Sequence, residues 1–480
     1  VTGVQTCALP IYRYDAWGRL VEHRDPLGNR ITTHYDESQR NSLGQKVLTT
    51  IQRDKEDVVT YVTHDANDRE VEHKKIAADG TLLAHDQLYY DPAGNLLQRM
   101  DHLWAAGRYL GAQSVRYSYT PFGQVKSQTR AFGTQDQRTV AYTYHPDGQL
   151  ATRTKADGTI LHYTYDAFGH LAQLHSSDGA LVHTFTYNRL GHLLSAEDRA
   201  SKIAISRTVD AFGRILSESV NGVLKVQKTY DLLGRTLTLE CPGVAAISYC
   251  YDPLYMRSVT FRKNGTQASH SYVRYDLDGN LCEELLPLGC GSVARSSDLR
   301  GRHSALEGKF FSQYCQYDAR DNLIVRQDDG KRAEYTYDDL SQLTTETTDG
   351  TSESYEHDSN YNCVARNGQE SHVNALNELV ADMSTSYQYD LNGNLIAKTC
   401  CCATTRYEYD ALDRLIRVVM PDRTEEMTYD PLGRRMRKVT HQDQQIVDDE
   451  YYVYDDEDEL GAFNEAGQPL QLRCLGRARH

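Results

Sequence analysis

The chain has 480 residues, a formal net charge of −15 and 39% hydrophobic residues, below the roughly 45–50% usual for globular proteins. That acidic balance argues against a general nucleic-acid surface, because phosphate contacts need clustered Lys and Arg. No apolar run reaches the ~20 residues of a membrane-spanning helix, and no secretion signal is visible in a chain that reads as cut at both ends.

Residues 1–11, Val-Thr-Gly-Val-Gln-Thr-Cys-Ala-Leu-Pro-Ile, do not fit the pattern that follows. They resemble the translation of a sequencing-library adapter and are expected to be a non-native leader. From Tyr12 onward a unit returns about every 20–22 residues, the signature of a repeat architecture. Length alone would suggest about three domains, but the repeat overrides that prior. Residues 12–480 are therefore expected to form one repeat array, incomplete at both ends.

The clear copies are Tyr14-Asp15 with Gly18, Tyr90-Asp91 with Gly94, Tyr165-Asp166 with Gly169, Tyr230-Asp231 with Gly234, Tyr275-Asp276 with Gly279, Tyr389-Asp390 with Gly393, and Tyr429-Asp430 with Gly433. In Tyr163-Thr164-Tyr165-Asp166-Ala167-Phe168-Gly169-His170-Leu171 the two Tyr lie at i and i+2, so both rings share one face of a strand. The Asp carboxylate can bond the backbone two residues on, and Gly supplies the positive φ that ends a tight turn. Leu171 resumes the apolar pattern on a return strand. Between copies lie Asp79-Gly80, Asp157-Gly158, Asp178-Gly179, Asn221-Gly222, Asn264-Gly265 and Asp349-Gly350, which are hairpin turns. Two turns per repeat leave two short strands, so the expected fold is all-β: a long antiparallel meander of hairpins.

From Tyr12 to about Asp91 the copies are loose; His64 there, like His357 far along the chain, stands in the Tyr slot as a substituted ring and not as a ligand. Residues 96–113, with Trp104, read as a short helix or an elaborated loop. Residues 117–252 are the most regular; Tyr119, Tyr144, Tyr165, Tyr187, Val209, Tyr230 and Tyr251 head successive units. The pattern degrades over residues 281–311, where Gly289-Cys290-Gly291-Ser292-Val293-Ala294 formally matches a dinucleotide fingerprint but lacks its strand–helix context. From Tyr314 to Tyr361 the copies return with turns expected to be weaker, because Asp321, Ser341 and Tyr361 occupy the Gly slot, and Val373 to Leu379 form a variant unit. Tyr454-Asp455-Asp456-Glu457-Asp458-Glu459 lacks the ligand spacing of a calcium loop and reads as a solvated charge run.

These copies, in register from Tyr12 to about Asp455, resemble the YD repeats of the RHS family. The resemblance implies a sheet that winds into a spiral, cocoon-like hollow shell. In bacterial members such a shell encloses a C-terminal toxin or effector domain, and a core with an Asp-Pro-x-Gly-Leu signature carries self-cleavage. That core is not in this chain. Asp430-Pro431-Leu432-Gly433 and Asp25-Pro26-Leu27-Gly28 have similar composition but read as turns. A β-propeller is the rival fold, without its Trp-Asp or kelch signatures.

No catalytic, cofactor-binding or metal-binding constellation is present in the sequence, so the chain is read as a non-enzyme. Ten of the 11 Cys lie at or beyond Cys241, and they are expected to be buried or free thiols. The expected role is an encapsulating shell, secreted or at the cell surface, whose partner is its own C-terminal effector domain. The alternative is a cell-surface protein whose Tyr rows stack on carbohydrate. Neither reading involves nucleic acid or a membrane span.

Overall fold

The computed structural model describes residues 9–473 except 42, 223 and 402. The expected leader thus lies mainly outside the described residues, and so do Cys7, Cys402 and Cys474. The described residues contain 43 β-strands and no α-helix; the one helical turn is the 3-10 segment Pro287–Gly289. The strand pairings are antiparallel, and each strand pairs with its neighbour in sequence, as in Leu171–Ser176 with Val182–Tyr187. Consecutive pairing over fourteen strands, from Arg138–Tyr144 to Leu281–Leu285, rules out four-stranded propeller blades.

The chain falls into two compact units, each made of two sequence-distant strips of meander. Unit 1 comprises Val1–Thr139 and Val293–Met383; unit 2 comprises Val140–Ser292 and Ser384–His480. In unit 2 the first strip buries about one apolar residue per strand, in cross-strand pairs such as Ala196↔Ile205 and Leu239↔Ile247. These rows make up for the low hydrophobic content, because neighbouring residues on one sheet face bury each other. The largest core in unit 2 forms where Val453, Leu460 and Phe463 pack on Val226, Leu239, Ile247, Val259 and Tyr272.

Three expectations need correction. Residues 96–113 are neither helix nor loop: Leu96–Ala105 and Arg108–Tyr119 form the longest hairpin of unit 1. Trp104 sits inside it, with its ring 5.1 Å from that of Tyr109. The acidic run is solvated only at its tip, Asp456 and Glu457: Asp455 and Asp458 close a hairpin between Gln445–Asp455 and Asp458–Phe463, and Asp455 pairs with Lys228. The turns without Gly close as fully as the others, with Asp321, Ser341 and Tyr361 held at φ between 62° and 74°. The dinucleotide-like segment lies in the 3-10 turn and runs into the strand Ser292–Ser297, with no helix for a phosphate to cap.

Candidate functional site

The unit headed by Tyr230 shows how one repeat is built. Asp231 Oδ1 accepts the backbone N–H of Leu233 at 2.9 Å and of Arg235 at 2.8 Å. Its other oxygen accepts Arg235 Nε at 2.7 Å. Gly234, at φ 85°, returns its N–H to the Asp231 carbonyl. A bulge between Thr229 and Tyr230 absorbs the extra turn residue. One carboxylate thus satisfies the turn backbone and fixes the side chain that follows Gly.

That side chain reaches the next repeat. The Arg235 guanidinium lies 4.4 Å over the Tyr251 ring, and its Nη1 donates to the Asp252 carbonyl at 2.8 Å. The Tyr251 hydroxyl donates back to the Thr236 carbonyl at 3.0 Å. Arg19, Arg69, Arg214, Arg302 and Arg414 repeat the stacking on the next Tyr. In these units the ring lies under a cation, and for Tyr35, Tyr230, Tyr251, Tyr317 and Tyr429 the hydroxyl also bonds a backbone carbonyl, which uses both the quadrupole and the hydroxyl. Burial, reinforced by Asp455, pushes the Tyr230 hydroxyl up to about 12.

The sequence-defined residues take these same roles. Tyr14 is exposed at the end of the first strand, and Asp15 closes its turn onto Trp17 and Arg19. Tyr90 lies under Arg69, while Asp91 and Asp276 hold Asn95 and Asn280 in the Arg position. Asp166 holds His170, and Tyr165 meets His145 edge-on at 6.0 Å. Tyr275 and Tyr429 donate to the Met256 and Leu415 carbonyls, each at 2.7 Å, and Asp390 holds Asn394. Tyr389 ends the strand Thr385–Tyr389 opposite Leu395. The glycines of these seven units, Gly18, Gly94, Gly169, Gly234, Gly279, Gly393 and Gly433, have φ between 78° and 95°. The His170 N–H, and the Asn95 side chain, hold Asp166 and Asp91 below the usual carboxylate range.

A second set of residues, not legible in the sequence, joins the strips. In unit 1 the inter-repeat turns of the first strip meet the Tyr-Asp turns of the second. Arg320 Nε donates to Asp54 at 2.9 Å, Arg300 approaches Asp25 at 3.4 Å, and Arg138 grips Glu378 with both terminal nitrogens. Trp104 N–H donates to the Ser359 hydroxyl at 3.1 Å and its carbonyl accepts Ser359 N–H at 2.7 Å. Lys55 and Arg300 stand over the buried Asp25, whose carboxyl is held far below its ordinary range by Lys55 and Asn29 against the opposing effect of burial.

Unit 2 follows the same rule by itself. Lys155 Nζ donates to the Ala411 carbonyl at 3.0 Å and to Asp413 at 2.7 Å. Asn392 bonds Asp157 at 2.6 Å. Ala411 and Leu412 pack on Leu161, Leu174 and Leu181. Arg434 binds Asp430 through Nε at 2.7 Å and Glu218 through Nη1 at 2.8 Å, with all three groups buried. His183 is fully buried beside Asp198, at 3.8 Å, and burial pushes its imidazole down. In both units the residue two after the turn Asp does much of the docking: Arg300, Arg320, Asn360, Asn392 and Leu412. Among the described residues no group of three or more His, Cys, Asp or Glu could hold a metal, and no helix is long and apolar enough to cross a membrane.

Comparison with known families fits this geometry. Residues 309–465 match the teneurin YD-shell model, and residues 14–40 and 136–181 match the RHS repeat model. This chain is an RHS/YD-repeat protein. No curated protein matches the sequence. Among solved structures the RHS/YD chain is similar to the Photorhabdus luminescens Tc holotoxin pore carrying a point mutation in TccC3, at 14% identity and TM-score 0.71, over 97% of this chain and 28% of that one. It is similar to TcdB2-TccC3-Cdc42 at 13% identity and TM-score 0.68, over 97% and 30%. A TcdB2-TccC3 structure without its hypervariable C-terminal region gives 13% and 0.67, over 96% and 30%. The chain thus spans under a third of the length of these structures, and the likeness shows the fold. As an RHS/YD repeat of the shell type it is a structural scaffold.

Proposed function

We propose that the RHS/YD array is the wall of an encapsulating shell whose cargo is an effector domain of the same polypeptide, outside these residues, in a secreted or cell-surface protein. The observation that carries this reading is the edge-to-edge sealing of strips. Turn tips meet through buried ion pairs and small apolar contacts, as at Arg434–Glu218 and Ala411–Leu161, so a strip continues its neighbour as a wall. The Tc toxin structures with the same fold support it as analogy.

The sugar-binding reading is weaker, because several of the Tyr rings that head units are already engaged. One face lies under Arg and the hydroxyl bonds the backbone, as in Tyr230 and Tyr429. Limited proteolysis of the full natural polypeptide tests the shell. A non-repetitive segment should resist protease while the strips are joined, and become cleavable when Arg434→Met opens the seam of unit 2. Equal cleavage in both proteins would overturn the proposal.

A further inference from the structure

One inter-repeat hairpin tip departs from the local rule of the others. At Asn221, Asn264, Asp349 and Asn367 the left-handed position of the tip, φ 48–51°, is held by Asn or Asp and followed by Gly. Short polar side chains tolerate that backbone, and most others clash there. Between the strands Leu395–Cys400 and Ala403–Tyr409 the position belongs to Cys401, at φ 48°. The pairing of Cys400 with Ala403 closes this turn.

That backbone brings two sulfurs together. Successive side chains of a strand point to opposite faces, so adjacent Cys in a regular strand hold their thiols apart. Here Cys400 Sγ and Cys401 Sγ are 3.5 Å apart. The Ser384 hydroxyl, from the preceding turn, stands 4.0 Å from the first and 3.9 Å from the second. Cys401 is exposed, Cys400 is half-buried, and both are free thiols. The turn thus presents two soft ligands on one side.

The donor set selects the ion. Thiolate sulfur prefers soft cations. A structural zinc takes four ligands, and among the described residues no group of three or more His, Cys, Asp or Glu gathers to hold a metal. Cu(I) is the soft first-row ion that two sulfurs alone satisfy. With metal–sulfur bonds of about 2.3 Å, as thiolates make to zinc, the present separation gives an S–metal–S angle of about 100°. Rotation of the exposed Cys401 side chain between staggered rotamers can open that angle.

We propose that Cys400 and Cys401 bind one Cu(I) ion as a two-thiolate site. Each thiol gives up its proton on binding, so two protons leave for one ion and no electron moves. Both sulfurs come from one hairpin, so the site needs no neighbouring strip, no free edge of the array and no second chain. It is independent of what a shell encloses.

The whole chain, kept anaerobic, is titrated with Cu(I) against the chromophoric chelator bicinchoninate. The wild-type chain should withhold about one equivalent. In the same protein Cu(I) should slow iodoacetamide modification of Cys400 and Cys401 at least about tenfold, because bound sulfur is no longer a free thiolate. The exposed Cys250 and Cys290 should react as before, as read by tandem mass spectrometry. Cys400→Ser/Cys401→Ser should withhold no copper, whereas Cys402→Ser and Cys250→Ser/Cys290→Ser should each withhold as much as wild type. The alkylation pattern is read on the unsubstituted chain, so it stands even where a variant folds poorly. A wild-type chain that surrenders all its copper overturns the proposal. So does copper that leaves Cys400 and Cys401 as reactive as before, that Cys400→Ser/Cys401→Ser still holds, or that Cys402→Ser alone releases.

Discussion

Replacing Arg434 by Met removes the cation at the seam of unit 2. Its guanidinium bonds Asp430 at 2.7 Å, Glu218 at 2.8 Å and the Asp456 carbonyl at 2.9 Å. Burial works against its charge, but Asp430 and Glu218 outweigh it and hold the guanidinium more firmly protonated than usual. Glu218 keeps a second partner, Arg207 Nε at 2.7 Å. Asp430 is fully buried and keeps only backbone N–H donors, those of Leu432 and residue 434. Breaking a buried ion pair from one side costs about 3–5 kcal/mol, because the remaining charge is stranded away from water. For a unit of about 250 residues that corresponds to a fall of about 6–20 °C in Tm. Urea unfolding followed by circular dichroism, with calorimetry for Tm, gives the value. Arg235→Met is the control: its Nε–Asp231 distance is also 2.7 Å, but it lies on the open edge, where water can rehydrate the carboxylate. Its effect should be much smaller. Asp430→Asn added to Arg434→Met should recover part of the loss. Equal destabilisation by Arg434→Met and Arg235→Met would show that burial at the seam is irrelevant and refute the reasoning.

Further outcomes are expected from particular residues. His183 is neutral in the fold because burial disfavours its charge, with Arg414 adding to this and Asp198, Asp410 and Asp430 opposing it. On unfolding it takes up a proton once pH falls below about 6.5, so stability of unit 2 drops as pH decreases through that value. The His183→Phe variant should show a flatter pH dependence between about 5 and 7 in urea titrations; an unchanged slope would discard this role. Tyr361 is held at φ 66° in the slot that other units give to Gly, so Tyr361→Gly should raise stability by about 0.5–1 kcal/mol in the same assay. Burial pushes the Cys241 thiol up to about 11. Iodoacetamide at pH 8 should therefore modify the exposed Cys250, Cys290 and Cys401 well before Cys241, as read by peptide mass spectrometry. Tyr230 should ionise near 12, and since the unfolded phenol titrates near 10, its contribution to stability is lost as pH rises through that interval.

The local fold was written in the sequence because each repeat uses short-range chemistry. Asp166 bonds backbone two and four residues on, and Gly169 supplies the turn conformation, so both can be read within a window of five residues. The Arg that follows Gly also links neighbouring repeats at a fixed distance in sequence, although its stacking on the next Tyr needed coordinates to be seen. Where the local signal was weak, the reading failed: residues 96–113 turn at Ala106-Gly107, without the Asp or Asn that marks the hairpin turns legible in the sequence, and their strands run longer than those of the repeat.

The seams were a different matter. Lys155 and Asp413 are 258 residues apart, and Arg320 and Asp54 are 266 apart. Nothing in a turn sequence reveals which side chain two residues after Asp will be covered. Phe168 and Leu412 occupy equivalent positions, and the first is bare while the second is packed. The acidic run at residues 454–459 was only partly legible for the same reason: its tip is solvated, but the Lys228 that pairs with Asp455 lies far back in the chain. The sequence by itself determined the repeat, its strands and its turns, because hydrogen bonding and backbone preference act over a few residues. Only the tertiary structure decided which strip edges meet, because that depends on how far the accumulated twist and curvature of many strands carry one strip before it passes another.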